Sequence, residues 1–202
     1  MENILIEVEQ FVINLLNEKL DTNYVYHNIS HTQRVVAKTK ELIEGLKVDE
    51  KSANDLIIAA WFHDVGYIKS IENHEEESVK IAKKFLLEKN ISNEIIKDVS
   101  SIIMATKMGV VPKNESQKII RDADCAHLGS KNFSDYTALL RKEWELTKDY
   151  VLTDTEWVEE NIKFLTKHQF HTEFASKTWN KTESKNLAQL LKTQKKLTQE
   201  NT

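Results

Sequence analysis

The chain has 202 residues, a net charge of −4, and basic residues spread along its whole length. This distribution argues against a protein that binds duplex DNA through a broad basic face. A small phosphorylated substrate stays compatible, because a bound metal can supply positive charge locally. The single cysteine, Cys125, excludes an intramolecular disulfide bond and a cysteine-based zinc site.

The start of the chain and its apolar runs bear on localisation. The N-terminus, Met1-Glu2-Asn3, has neither the basic region nor the long apolar core of a signal peptide, so no signal peptide is predicted. No apolar run approaches the roughly 20 residues that a membrane span needs. We therefore expect a cytoplasmic protein without membrane contact.

Low glycine and proline contents, four Gly and one Pro, predict a chain that is nearly all helical. Apolar residues recur at steps of three and four through successive segments. The predicted helices cover about residues 4–20, 30–46, 53–64, 75–89, 95–103, 117–128, 134–148, 154–167 and 184–196. Residues 66–73 and 109–116 are predicted loops.

Two helical segments carry further expectations. The segment 53–64 is apolar nearly all round, which predicts a central position. The polar tail from Thr193 is expected to fray. Neither a repeat nor a linker interrupts the chain, so we predict one compact all-α domain over residues 1–202. Its core would cover about 22–145, with C-terminal helices of about 150–197 packing on it.

Histidine is scarce, with seven residues, and falls in short groups together with aspartate. His27 and His31 are four residues apart, so on a helix they would share one face, roughly 5–6 Å apart at Cβ. Both could bind a metal, or one could bind while the other handles protons. A helix start with polar side chains is an equally good interpretation.

The doublet His63-Asp64 closes an otherwise apolar run. A buried carboxylate is costly unless it is hydrogen-bonded or ligates a metal. Imidazole and carboxylate together form a ligand mixture that borderline and hard divalent cations accept. The competing interpretation is a His-Asp dipeptide that occurs by chance.

Asp122 and Asp124 follow two isoleucines on a predicted helix. Successive helical residues point about 100° apart, so only one of the two aspartates is expected to face a given site. Taken alone, this segment fits solvated helix aspartates better.

In this order, His31, His63-Asp64 and Asp124 resemble the H…HD…D signature of the HD superfamily of metal-dependent phosphohydrolases. The segment Tyr26–Thr32 is similar to the YHNxxH motif of cyclic-nucleotide phosphodiesterases. The chain resembles bacterial predicted metal-dependent HD phosphohydrolases over nearly its full length. The matched segments are Tyr26–Thr32, Trp61–Tyr67, Asn73–Ser78, Asp122–Gly129, Tyr136–Glu143 and Ser184–Leu191.

This resemblance implies a helical HD fold and a divalent metal ion held by His31, His63, Asp64 and Asp124. Asp124 is preferred over Asp122 because Asp124-Cys125-Ala126-His127 aligns better with the family pattern. Two imidazoles and two carboxylates suit Mn, Fe, Co, Ni or Zn, whereas Mg is less natural.

The resemblance also implies catalytic roles. His27 maps to the proton donor of the phosphodiesterase-like motif, and an imidazole with a pKa near 6.5 can protonate a leaving oxygen. Asp64 would face the attacking water.

Four further residues are candidates for substrate binding: His74, Lys107, His127 and Arg141. For Arg141 a structural salt bridge with a nearby Glu is the competing interpretation, and for His74 an exposed loop position. The acidic run Glu75–Glu77 fits a solvated helix start, where acids suit the helix dipole.

The sequence therefore predicts hydrolysis of a phosphoester in a nucleotide or a similar small metabolite. A non-catalytic nucleotide-binding HD module is the alternative. A di-iron oxygenase is disfavoured, because beyond His74 the chain lacks the extra ordered histidines of such enzymes. A homo-oligomer is compatible with the sequence.

Overall fold

A computed structural model describes residues 2–148 and 151–200, with side chains for 3–148 and 151–199. Over these residues the protein is all-α, as predicted, and no β-strand occurs. The α-helices are α1 (Glu2–Lys19), α2 (Ile29–Leu46), α3 (Glu50–Phe62), α4 (His74–Glu88), α5 (Asn93–Met104), α6 (Glu115–Asp124), α7 (Phe133–Thr147), α8 (Asp154–Lys167) and α9 (Glu173–Glu200). Two 3₁₀ turns, Val65–Ile68 and Cys125–Gly129, complete the regular structure of this part of the chain.

The helices group into two compact units. The first comprises the described residues up to Thr22 together with His27–Asp124, and so contains α1 to α6. The second comprises Asn23–Tyr26 and the described residues from Cys125 onward, with α7 to α9. The assignment of all 202 residues to a single domain stays a prediction.

The helix α3 forms the centre of the first unit, as its all-round apolarity predicts. It packs against α1, α2, α5 and α6, and its Leu56, Ile58, Ala59, Ala60 and Phe62 are fully buried. Asp49 caps its N-terminus, because the aspartate oxygen accepts the amide hydrogen bond of Ser52 at 3.0 Å.

Two predicted helices end earlier than expected. α3 stops at Phe62, so His63 is its C-cap and Asp64 adopts a non-helical backbone with φ −111° and ψ 4°. Likewise α6 stops at Asp124, and the chain continues as a 3₁₀ turn. The end of α3 falls at the adjacent pair His63-Asp64, and adjacent positions on a continuous helix could not turn toward one point. The end of α6 falls directly after Asp124.

The predicted loop 66–73 begins with part of the 3₁₀ turn Val65–Ile68, against which α4 packs. Gly66 is required there, because a Cβ atom would overlap the carbonyl oxygen of His74. Its amide donates to the Ser78 hydroxyl at 2.8 Å. The N-terminus of α4 is thereby fixed directly behind the His63-Asp64 doublet.

In the second unit α9 packs against α8 and against the turn Cys125–Gly129. The Asn186 amide donates to the carbonyl oxygens of Leu128 and Ser130, at 2.8 and 2.9 Å. The backbone amide of Tyr26 donates to the buried carboxylate of Glu143 at 2.8 Å. These bonds satisfy buried polar groups that would otherwise cost stability.

The last helix is longer than its prediction of 184–196. It starts at Glu173, and the polar tail from Thr193, expected to fray, is described as helix to Glu200. Ala175, Trp179 and Glu183 lie four residues apart and are all buried. Because Glu183 is charged, the inward face of this helix cannot be recognised in the sequence as a continuous row of apolar residues.

None of the described helices combines the length and the apolarity that crossing a bilayer requires.

Candidate metal centre

The first unit brings four predicted ligand residues together from three helices. His31 lies in the first turn of α2, His63 and Asp64 follow the end of α3, and Asp124 is the last residue of α6. α2 packs against both α3 and α6, which places these positions side by side. The side chains of His31, His63 and Asp64 are almost fully buried, whereas that of Asp124 is 27% exposed.

The donor atoms of the four side chains converge on one point. The Nε2 atoms of His31 and His63 lie 3.3 Å apart. Asp64 Oδ2 is 3.2 Å from each of these two nitrogens. Asp124 Oδ1 is 3.2 Å from His31 Nε2 and 3.8 Å from His63 Nε2.

A backbone contact fixes the orientation of the His63 ring. Its Nδ1 donates to the carbonyl oxygen of Ala60 at 2.8 Å, and a carbonyl can only accept. In the neutral ring Nε2 therefore presents its lone pair to the cluster. Support of this kind for the other ring nitrogen is typical of histidines that ligate metals.

The charges of the cluster raise the pKa values of its two histidines. Burial disfavours the charged ring of His63, but the carboxylates of Asp64 and Asp124 outweigh burial and raise its pKa to about 9. Burial opposes the charged ring of His31 too, and hydrogen bonds with Asp124 and Asp64 raise its pKa above the ordinary value.

The two aspartates shift in the opposite direction. Burial alone would raise the pKa of Asp64, yet His63 and His31 hold it well below its usual range. The pKa of Asp124 is also lowered, because its hydrogen bond with His31 and the charge of His63 outweigh burial. Protonated imidazoles thus balance the carboxylates of Asp64 and Asp124, a role that a divalent cation can take over.

The donor set fits a divalent metal ion. One ligand atom each from His31, His63 and Asp124 lies within 4.8 Å of the others, a spacing that allows a shared ion. Asp64 is not a member of this set of three, although its Oδ2 contacts both imidazoles. Two imidazole nitrogens with carboxylate oxygens match Mn, Fe, Co, Ni and Zn.

The two aspartates of α6 differ in their relation to the two histidines. Asp124 offers a ligand atom to the group of three that it forms with His31 and His63, and this group does not include Asp122. Asp122 is 1% exposed, so the interpretation of both as solvated helix residues does not hold for it. The role of Asp124 as a metal ligand stays a prediction.

His27 lies outside the helix on which the spacing argument placed it. α2 begins at Ile29, and Asn28 is its N-cap, with its side-chain oxygen accepting from the Ser30 amide at 2.9 Å. The ring of His27 still meets that of His31 edge-on, with 5.5 Å between centroids. The ring of His27 also stacks on that of Tyr67.

His74 adjoins the cluster on the side of Asp64. Its Nε2 lies 3.8 Å from Asp64 Oδ1 and 3.4 Å from Glu75 Oε1. Its Nδ1 donates to the carbonyl oxygen of Ile71 at 2.8 Å. Asp64 therefore presents one oxygen to the two buried imidazoles and the other to His74.

Lys107 forms an ion pair with Glu76 of α4. The backbone around it is held by Arg121, whose guanidinium donates to the carbonyl oxygens of Ala105 and Lys107 at 2.8 and 3.1 Å. The side chain of Lys107 is 32% exposed, so an anion from solvent can reach it. Its role in binding substrate stays a prediction.

His127 and Arg141 belong to the second unit. The His127 ring meets Tyr26 edge-on, with 5.9 Å between centroids. The guanidinium of Arg141 donates to Asp154 Oδ1 at 2.6 Å and to the Leu152 carbonyl at 2.7 Å. Its Nε also lies 3.5 Å from Glu145 Oε1, which matches the structural salt bridge with a nearby Glu. Binding of substrate by His127 or Arg141 stays a prediction.

Two residues at the centre were not assigned from the sequence. Glu75 is 5% exposed, so its interpretation as part of a solvated helix start is wrong. Tyr67 stacks between His27 and His74. The position of Tyr67, three residues after Asp64, is the one sequence feature that places it near the site. Its stacking with His27 and His74 is not visible in the sequence, because both partners come from other segments.

The chain belongs to the HD-domain family, whose model matches residues 28–129, about half of the sequence. This segment includes His31, His63, Asp64 and Asp124, and it begins one residue after His27. HD domains bind divalent metals and are in general metal-dependent phosphohydrolases. No curated protein and no solved structure matched the chain.

Proposed function

We propose that the protein is a metal-dependent phosphohydrolase that cleaves a phosphoester of a nucleotide or a similar small phosphorylated metabolite. The observation that carries the proposal is the convergence of two imidazole nitrogens, 3.3 Å apart, with an aspartate oxygen 3.2 Å from each. A buried cluster of this kind is suited to hold a cation, and its family uses such cations for hydrolysis.

The proposed ligands are His31, His63, Asp64 and Asp124. When bound, a divalent ion activates water near neutral pH and offsets the charge of the phosphoryl group. The exposed edge of Asp124 leaves the cluster open on one side, where a substrate can approach.

The surrounding side chains supply the remaining tasks. Asp64 Oδ1, which faces away from the two buried imidazoles, can orient the attacking water. His27, beside His31, donates a proton to the leaving oxygen as the bond from phosphorus to that oxygen breaks. His74, which lies beside Asp64, and Lys107, which pairs with Glu76, can hold phosphate oxygens.

A phosphoester screen tests the proposal. Purified protein is assayed with Mn²⁺, Co²⁺, Ni²⁺ or Mg²⁺ against generic and nucleotide phosphoesters, and its metal content is measured by elemental analysis. We expect turnover of at least one ester. Asp64→Ala should abolish it, a loss of at least about 10³-fold of the kind seen when one member of a cooperating catalytic set is removed.

Asp122→Asn is the matched control, since Asp122 is a buried aspartate that does not belong to the group of three possible ligands. It should keep both metal and activity. Metal-loaded protein that cleaves none of the esters would contradict the proposal. Tight nucleotide binding that survives chelation, without product, would select the binding-module alternative instead.

A further inference from the structure

Tyr67 forms the middle of a column of three stacked rings beside the metal centre. Its ring lies nearly parallel to that of His27, with 4.5 Å between centroids and an interplanar angle of 19°. On the opposite face it stacks on His74, at 4.1 Å and again 19°. We call Tyr67, His27 and His74 the ring column.

The three rings of the column come from separate segments of the chain. His27 precedes the N-cap of α2, Tyr67 lies in the 3₁₀ turn after the His63-Asp64 doublet, and His74 is the first residue of α4. Each imidazole stands at a helix terminus or outside a helix, where the regular backbone constrains a side chain least. Contact with Tyr67 is the feature that the two share.

The ring column is placed at the edge of the site, not in the core. All three rings are half-buried, whereas the core aromatic Phe62 is fully buried. Of the two imidazoles, His27 meets His31 of the metal cluster and His74 faces Asp64. The column thus borders the buried ligands and is itself partly open to solvent.

We propose that Tyr67 is a positioning residue that orients His27 and His74 through its two ring faces. The inference rests on the proposed function, because His27 is there the proton donor to the leaving oxygen. In that step the bond from phosphorus to the leaving oxygen breaks, the oxygen takes the proton, and the ring remains as neutral imidazole. Correct alignment of the donor is a condition for efficient transfer.

Two substitutions of Tyr67 distinguish an effect of its aromatic ring from an effect of its hydroxyl group. Tyr67→Phe keeps both stacking faces, and Tyr67→Leu removes them with little change in volume. Each variant is assayed with an alkyl phosphoester, whose leaving oxygen needs a proton, and with p-nitrophenyl phosphate, whose leaving group does not. Elemental analysis checks that both variants still bind metal.

We expect Tyr67→Leu to lower kcat for the alkyl ester by about 10- to 100-fold, within the 10²–10⁴-fold that a general acid contributes. The loss for p-nitrophenyl phosphate should be much smaller, KM should change little, and Tyr67→Phe should retain most of the activity. Equal losses for the two esters, or equal losses in the two variants, would overturn the proposal.

A readout without turnover keeps the inference separate from the proposed function. The imidazole C–H protons of His27 and His74 lie over the tyrosine ring and should show ring-current shifts in NMR spectra. Assignment uses His27→Gln and His74→Gln. Tyr67→Leu should remove the shifts and Tyr67→Phe should keep them; unchanged shifts in Tyr67→Leu would refute the column even if no ester is cleaved.

Discussion

In each of the two units an imidazole lies against a carboxylate. In the first unit His63 Nε2 lies 3.2 Å from Asp64. In the second unit His168 Nδ1 lies 2.5 Å from Glu183, with both side chains nearly buried. The shorter and simpler contact is in the second unit, yet the first unit holds the candidate metal centre.

The difference lies in how many donors meet at one point. At His168 one imidazole and one carboxylate satisfy each other, and the ring is held edge-on against Phe170 with 4.6 Å between centroids. The pair lines a cleft of about 410 Å³. Among the described residues no third ligand group joins it, whereas His31, His63 and Asp124 form such a group.

The comparison shows why a His-carboxylate contact is by itself a poor indicator of a metal. In an isolated pair, the imidazole and the carboxylate hydrogen-bond to each other and contribute to stability. A cluster of two imidazoles and two carboxylates leaves several ligand atoms aimed at the same point, where a cation or protons must compensate the charge.

The largest difference between the two sites is expected in metal affinity. It is measured for two variants that each lack one carboxylate, Asp124→Ala and Glu183→Ala. Since loss of a group that merely supports a ligand already costs about 10–100-fold in affinity, we expect Asp124→Ala to weaken Mn²⁺ or Zn²⁺ binding by about 10³-fold. Glu183→Ala should bind as tightly as the unmodified chain. Isothermal titration after chelation measures both, and equal affinities would remove the distinction between the two sites.

The second prediction concerns pH and the metal-free protein. The pKa of His63 is raised from 6.5 to about 9, so its contribution to stability is complete below pH 6.5 and is lost as the pH rises toward 9. We expect the free energy of unfolding to fall by up to about 3 kcal/mol across this window. Urea unfolding in the presence of a chelator, between pH 6 and 9.5, measures it.

The charge of Asp64 causes much of this dependence, so Asp64→Asn should flatten the slope, and Glu183→Ala should leave it unchanged. Metal binding at neutral pH should also release about one proton or more, because His63 must lose one to ligate. Titrations in buffers of different ionisation enthalpy detect the release. A slope that Asp64→Asn does not alter would contradict the proposed origin of the raised pKa.

The smallest expected effect is on the pair in the second unit. Glu183→Gln removes the charge from a hydrogen bond with His168, which should lower the free energy of unfolding by about 1–3 kcal/mol. Thermal unfolding measures the change, with metal content and phosphoesterase activity as controls. A loss of metal together with the stability loss would show that the pair does more than stabilise its own unit.

Most of the helices can be predicted from the local sequence. Apolar residues at three- and four-residue steps predict eight of the helices to within a few positions, and Asp49 and Ser92 cap helices as their side chains suggest. α9 was predicted too short, because its inward face includes the buried Glu183. Local periodicity does not reveal an ion pair whose partner is 15 residues away.

The candidate ligands were also named from sequence order, yet their geometry depends on where helices stop. His63 and Asp64 face one point only because α3 ends at Phe62, and Asp124 joins them at the last residue of α6. No residue in these segments is a glycine or a proline, so sequence propensity gave no warning of either break. The helices α2, α3 and α6, which carry or precede these ligands, pack against one another.

The sequence by itself therefore determined the helical class and the residue types of the site, because periodicity and chemical identity are local properties. The tertiary structure decided which donors converge. It aligned His31 with His63 across 32 residues, brought Asp124 to these two histidines, and placed Tyr67 between His27 and His74. Such distances follow from packing of remote segments, which no local pattern specifies.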